Sequence, residues 1–136
     1  MTSYVPLWCK SNFSFLEGAS HPDELVEHAH ELGLSAMALT DRDGVYGIVR
    51  AHSKAHELGL KLIVGSELSL DEGCTLVALV QNRKGYGQLC QLISQGRLRC
   101  PKGQSILHWE EILKNHSDLI LLVRDPKSFS KLGALK

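Results

Sequence analysis

The sequence lacks the patterns that mark several common classes of protein. Its 15 basic and 15 acidic residues cancel, so no surplus of positive charge indicates a nucleic-acid-binding module. No apolar run reaches the roughly 18–20 residues of a membrane-spanning helix, and the N-terminus has no apolar core typical of a signal peptide. Neither a phosphate-binding loop of the GxxxxGK[S/T] type nor a nucleophile elbow occurs. We therefore expect a cytoplasmic α/β protein that does not contact a membrane.

Closely paired cysteines are absent, and the cysteines that occur have wide, irregular spacing. No CxxC pair occurs, so the sequence does not predict a structural zinc site. Without a secretory signal the thiols are expected to be reduced. The four residues are Cys9, Cys74, Cys90 and Cys100.

Acidic residues close two apolar runs, and this pattern gives the strongest indication of function. Asp41 lies in the segment TDRDG (40–44), after an apolar run, and Glu67 ends the apolar run 61–67. The α/β folds place their functional side chains where strands end, so both carboxylates are expected at one edge of the sheet. Asp43 is either a further ligand or a turn residue before Gly44, and we favour the turn.

Short strands and helices alternate along the chain. The segment ELGL follows a helix pattern at 31–34 and again at 57–60, with a glycine where each helix should end, and Ser20 is the expected N-cap of the first helix. Residues 67–70 are expected to pair with the fourth strand through the turn 71–73. We predict strands at 4–8, 35–40, 61–65, 75–80 and 119–123, helices at 21–32, 46–58 and 84–96, a short capped helix within 105–113, and the start of another at 128–136.

The length of the chain limits the architecture. A closed (β/α) barrel normally takes about 250 residues. With 136 residues the alternatives are an open sheet and an incomplete barrel, and the abrupt end after the fifth strand favours the second. We expect residues 1–136 to form one domain that is truncated on its C-terminal side.

Three ordered segments resemble the polymerase and histidinol phosphatase (PHP) domain, in particular the one that opens bacterial C-family DNA polymerase III alpha subunits. They are YVPLWCKSNFSFLEGASHPDELV (4–26), ALTDRDGVYGIVRAH (38–52) and LIVGSEL (62–68). The segments SNFSFLEGASHP (11–22) and NRKGYGQLCQLI (82–93) are most similar to the error-prone branch of that family. The resemblance covers residues 4–123 and implies an incomplete, distorted (β/α)7 barrel with mostly parallel strands.

The resemblance also implies a metal site whose ligands are partly lost. Active PHP domains hold up to three metal ions on His, Asp, Glu and Cys side chains at strand ends. The family's first His-x-His motif corresponds here to Trp8 and Lys10, and a histidine of the next motif corresponds to Arg42. An indole is only a donor, and an ammonium has no acceptor, so Trp8 and Lys10 cannot act as ordinary ligands.

Three acidic positions of the family motifs are retained. Glu17, Asp41 and Glu67 match residues that bind metal in active members, and they are the candidate ligands for a residual ion. We expect Lys10 and Arg42 to form ion pairs with them in place of a metal. No cofactor is expected; if an ion does bind, the carboxylates would suit a divalent metal such as Zn, Mn, Fe or Mg.

Three functions stay open at this point. The first is a catalytically inactive scaffold at the N-terminus of an error-prone polymerase that acts in DNA replication and repair as a nucleotidyltransferase. The second is a metal-dependent phosphoesterase or 3′–5′ proofreading exonuclease that uses the remaining carboxylates. The third is a binding module. The partners would be the remaining polymerase domains or subunits, DNA only indirectly, and a second copy through an exposed barrel edge.

Overall fold

The structure is a computed structural model that describes residues 3–134. Five helices and four strands follow one another, and a 3₁₀ turn at Asp71–Gly73 separates the second and third strands. The elements are α1 (Pro22–Glu31), β1 (Ala36–Leu39), α2 (Ile48–Leu58), β2 (Lys61–Ser69), β3 (Thr75–Val80), α3 (Arg83–Arg99), α4 (Trp109–Lys114), β4 (Leu119–Val123) and α5 (Pro126–Ala134).

The strands form one sheet in the order β1-β2-β3-β4. β1 pairs with β2 in parallel, whereas β3 is antiparallel to both β2 and β4. The α/β class is confirmed, but the sheet is mixed and not mostly parallel. The reason is the turn at 71–73, which is too short for a helical crossover and reverses the chain into β3. The segments 61–65 and 67–69 are thereby parts of one long strand, β2, and Leu70 lies just beyond its end.

The first predicted strand, 4–8, is not a strand in the structure. Two backbone bonds still hold this part of the chain beside β1, since Ala38 N donates to Pro6 O at 2.9 Å and Thr40 N donates to Cys9 O at 2.8 Å. Pro6 has no N–H to return, so a regular ladder cannot form there. The segment therefore runs along the sheet edge without joining it.

The two ELGL repeats end their helices in the same way. Gly33 and Gly59 both have φ of 71°, a left-handed conformation that glycine adopts without steric cost. The start of α1 differs from the prediction, because its N-cap is His21 and not Ser20. His21 N donates to Glu24 Oε2 at 2.8 Å, and this bond fixes the helix start one residue later.

Two apolar clusters hold the helices on the sheet. The cluster around α1 and α2 contains Val26, Met37 and Leu39, and the cluster under α3 and α4 is built around Leu76 and Leu92. Within residues 3–134, every helix is too short or too polar to cross a lipid bilayer. The packing leaves the ends of β1, β2 and β4 together at one edge of the sheet, where the candidate site lies.

Candidate functional site

Asp41 is held by three hydrogen bonds from the loop that precedes α1. It is 2% exposed, and its Oδ1 accepts from Ser11 N and from Ser14 Oγ, each at 2.7 Å. Its Oδ2 accepts from Ser11 Oγ at 2.8 Å. Hydrogen bonds to a charged acceptor are among the stronger ones in proteins. The carboxylate thus ties residues 11–14 to the end of β1.

Glu67 lies beside Asp41 and is bonded by two cations. Its backbone N donates to Asp41 O at 3.0 Å, so the two acidic residues lie side by side, although Glu67 lies inside β2, which continues to Ser69, and not at its end. The Glu67 side chain is 4% exposed; Lys10 Nζ lies 2.9 Å from its Oε1, and Arg124 Nη1 lies 2.9 Å from its Oε2. At an effective dielectric near 20 such a contact is worth about 4 kcal/mol before desolvation.

Trp8 is the third donor to Glu67. Its Nε1 donates to Glu67 Oε2 at 2.8 Å, and both cations lie near its ring. The central guanidinium carbon of Arg124 is 3.4 Å from the ring centroid, and Lys10 Nζ is 5.4 Å away. Cations over an indole face gain electrostatic stabilisation from the ring. Glu67 therefore accepts hydrogen bonds from three side chains, those of Trp8, Lys10 and Arg124.

Glu17 completes the arrangement at the rim of the site. Lys10 Nζ lies 3.0 Å from its Oε1, and Arg42 Nε lies 3.4 Å from its Oε2. Arg42 is half-exposed and pairs with Glu17 only at this longer distance. Both cations that the sequence set against the carboxylates, Lys10 and Arg42, are thus in contact with Glu17.

Asp43 lies outside this group of contacts. Its carboxylate accepts from Ser69 N and Ser69 Oγ, each at 2.7 Å, and its carbonyl accepts from Arg97 Nε at 3.0 Å. Burial raises the pKa of Asp43, although the bonds from Ser69 oppose that effect. With φ of 48°, Asp43 occupies the turn conformation that the sequence favoured.

The donor set does not fit a resident metal ion. The Glu67 oxygens face an ammonium, a guanidinium and an indole N–H, and both Asp41 oxygens accept from serines. Across residues 3–134 no three His, Cys, Asp or Glu side chains come together in a group that could hold a metal. A cation entering here would have to displace Lys10 and Arg124 and would meet their charges. The arrangement is a network of ion pairs.

A family model for the PHP domain matches residues 7–136. The chain belongs to the PHP domain family. The resemblance found in the sequence is thereby confirmed. Two error-prone DNA polymerases are similar to it. That of Rhodopirellula baltica is 47% identical over 117 residues, which cover 86% of this chain and 10% of the relative. That of Anaeromyxobacter sp. (strain K) is 57% identical over 105 residues, which cover 74% of this chain and 9% of the relative. The domain spans about a tenth of the length of these relatives.

Solved structures extend the likeness beyond polymerases. A protein from Bifidobacterium adolescentis, named as a metal-dependent phosphoesterase, is 26% identical with a TM-score of 0.58; the match covers 71% of this chain and 34% of that one. An amidohydrolase from Chromobacterium violaceum has the same identity and TM-score and covers 69% and 33%. The PHP fold described here is thus shared with proteins that are named as enzymes.

Arg124 is the residue of this PHP domain that sequence reasoning missed. Glu67 and Leu122 both lie opposite Val77 in the ladder, so Arg124 stands just beyond Glu67 at the same edge of the sheet. A charged residue directly after the apolar strand 119–123 was the available signal, and it follows the rule that identified Asp41 after β1. Ser11 and Ser14 gave no such signal, because serine is common in loops.

Proposed function

We propose that this chain is the N-terminal PHP module of an error-prone DNA polymerase and that it serves there as a scaffold without phosphoesterase activity. The observation that carries the second part is the bonding of Glu67 by Lys10 and Arg124. Metal-assisted hydrolysis needs an ion that activates water, and this carboxylate faces protein cations. Losing imidazole ligands at Trp8 and Lys10 should weaken metal binding by much more than tenfold, since loss of outer-shell groups alone costs about 10–100-fold.

The first part of the proposal is supported by the relatives. Error-prone DNA polymerases are 47–57% identical to this chain over 74–86% of its length. The whole polymerase would add nucleotides to a primer in a later domain, within the bacterial cytoplasm. This module, one domain over residues 1–136, would contact the remaining domains directly and DNA only through them.

A second copy of the chain is a further candidate partner. β4 is bonded on one side to β3 and, among the described strands, to no other, and its Ile120 is 49% exposed. Apolar strands with a free edge pair readily with other chains. We expect weak self-association that rises with protein concentration in sedimentation experiments, and a monomer at every concentration would contradict it.

An activity assay tests the scaffold role. The purified chain is incubated with a phosphate monoester and with a 3′-labelled oligonucleotide in the presence of Mn²⁺, Zn²⁺ or Mg²⁺. We expect no hydrolysis above that of the Asp41→Asn variant, which lacks one of the three carboxylates. Hydrolysis that the wild type shows and Asp41→Asn loses would establish the metal-dependent phosphoesterase or exonuclease instead. Primer extension by the isolated chain would contradict the assignment of synthesis to a later domain.

A further inference from the structure

Large apolar side chains are exposed along the loop that precedes α1. Leu16 is 89% exposed and Phe15 is 75% exposed. Phe13 and Tyr46 are also exposed, and their ring centroids lie 6.2 Å apart. We call Phe13, Phe15, Leu16 and Tyr46 the apolar rim. Several large apolar side chains presented together on a surface typically mark an interface.

The backbone that carries the apolar rim is fixed. Asp41 bonds the loop at Ser11 and Ser14, and Asn12 N donates to Ser20 O at 2.8 Å. Leu16 has φ of 64°, a left-handed conformation that is rare for a bulky residue. The surrounding bonds hold the chain in this conformation and direct the turn at Phe15 and Leu16 outward. Rigid presentation reduces the entropy lost on binding, as expected for a docking surface.

The charge of the site and of the whole chain helps to decide whether the partner is nucleic acid or protein. Arg42 and Arg124 are partly exposed at the site, and each pairs there with a carboxylate of the chain. The sequence as a whole carries no net charge. Protein surfaces that bind nucleic acid carry much more positive charge than this one. A protein surface with an apolar patch fits better.

The length of the relatives indicates where that surface comes from. This chain matches 9–12% of each error-prone polymerase, so about nine tenths of such a protein lies outside it. We propose that the apolar rim is the docking surface for that remaining part of the polymerase, which covers Phe15 and Leu16. The inference rests on the proposed role as a polymerase module and adds the surface through which the module acts.

Side-chain oxidation by hydroxyl radicals tests the docking surface. The isolated chain is compared with the whole polymerase of Anaeromyxobacter sp. (strain K) whose matching segment has been replaced by this chain. Phe15 and Leu16 should be oxidised several-fold more slowly in the chimera. Leu98, which is 87% exposed on α3, is the internal control and should change little. Equal oxidation of Phe15 and Leu16 in the two proteins, or equal protection of Leu98, would overturn the proposal.

Further measurements separate the possible outcomes. If the chimera extends a primer but Phe15 and Leu16 remain unprotected, the docking surface is wrong and the module role stands. If the chimera folds and protects these residues but cannot extend a primer, the module role is wrong and the docking surface stands. Separate thermal unfolding of this chain and the remainder contradicts docking. In the isolated chain, the Phe15→Ser/Leu16→Ser variant should bind an apolar dye several-fold less than Leu98→Ser, and equal binding contradicts an apolar rim. Protection of Phe15 and Leu16 by a single-stranded oligonucleotide would assign the surface to nucleic acid instead.

Discussion

Arg124 Nη1 lies 2.9 Å from Glu67 Oε2, although the two residues are 57 positions apart in the sequence. The same guanidinium lies over the Trp8 ring, and Lys10 bonds the other oxygen of Glu67. A buried carboxylate is stable only when it is paired, and here the partners are protein cations. The structure thereby places protein cations on the carboxylate that the resemblance assigned to a metal.

Removing the ammonium of Lys10 should destabilise the domain. In Lys10→Met, Glu67 keeps Arg124 and Trp8 but loses one of its two cations in a buried setting. Breaking a buried ion pair costs about 3 kcal/mol of unfolding free energy. Urea unfolding measures the loss. The control is Lys131→Met, whose exposed pair with Glu72 should contribute less than about 0.5 kcal/mol. Equal stability of the two variants would contradict a structural role for Lys10.

Gly18 should tolerate no side chain, because the loop folds tightly against it. A Cβ at Gly18 would overlap the backbone oxygen of Ser11, so Gly18→Ala forces the loop away from Asp41 and should cost about 2 kcal/mol. Gly87 in α3 is the matched control, since nothing lies within 4 Å of its added Cβ. Gly87→Ala should raise the unfolding free energy by about 0.5–1 kcal/mol. In thermal unfolding, Gly18→Ala should lower the melting temperature and Gly87→Ala should raise it. An unchanged melting temperature in Gly18→Ala would show that the loop is not fixed.

The lowered pKa of Asp118 predicts that the domain loses stability in acid. The Asn82 side chain, with help from Lys84 and Ser117, lowers the pKa of Asp118 to about 2. A carboxyl whose pKa is lower in the folded state stabilises the fold above its unfolded pKa of about 3.8. That contribution is lost as the pH falls through the window down to about 2.

Two variants test the acid effect. In Asp118→Asn the unfolding free energy should depend less on pH below about pH 4 than in the wild type. The control is Glu31→Gln, which removes the same charge at an exposed position of α1 and should leave that pH dependence nearly unchanged. Asn82→Ala should raise the pKa of Asp118, which nuclear magnetic resonance of the side-chain carbonyl measures. An unchanged pKa in Asn82→Ala would contradict the assignment of the shift to that amide.

Histidines at positions 8 and 10 should restore metal binding only if Arg124 is also removed. The variant Trp8→His/Lys10→His puts imidazoles at the two family positions but keeps Arg124 on Glu67 Oε2. Adding Arg124→Ala frees that oxygen, so the triple variant should bind Zn²⁺ at least tenfold more tightly than the double variant. Isothermal titration measures both. Equal affinity would mean that Arg124 does not block the carboxylate.

Much of the fold could be predicted because it depends on local signals. The glycines that end α1 and α2 and the turn before β3 are short-range features, and they were predicted from the sequence. The strand at 4–8 was wrong: the missing donor of Pro6 was expected only to place this strand at an edge, but the segment does not join the ladder at all. In the site, Asp41 and Glu67 were found from their positions after apolar runs, whereas Arg124 bonds Glu67 through a pairing of distant strands. Only the register of β2, β3 and β4 brings those two residues together.

The metal content of the chain purified without chelator tests the central claim most directly. Elemental analysis of the wild type and of Glu67→Gln should find only substoichiometric Zn, Mn and Fe in both, because protein cations balance the carboxylates. Stoichiometric metal in the wild type that is lost in Glu67→Gln would contradict the account, since it would place an ion where Lys10 and Arg124 are proposed to act.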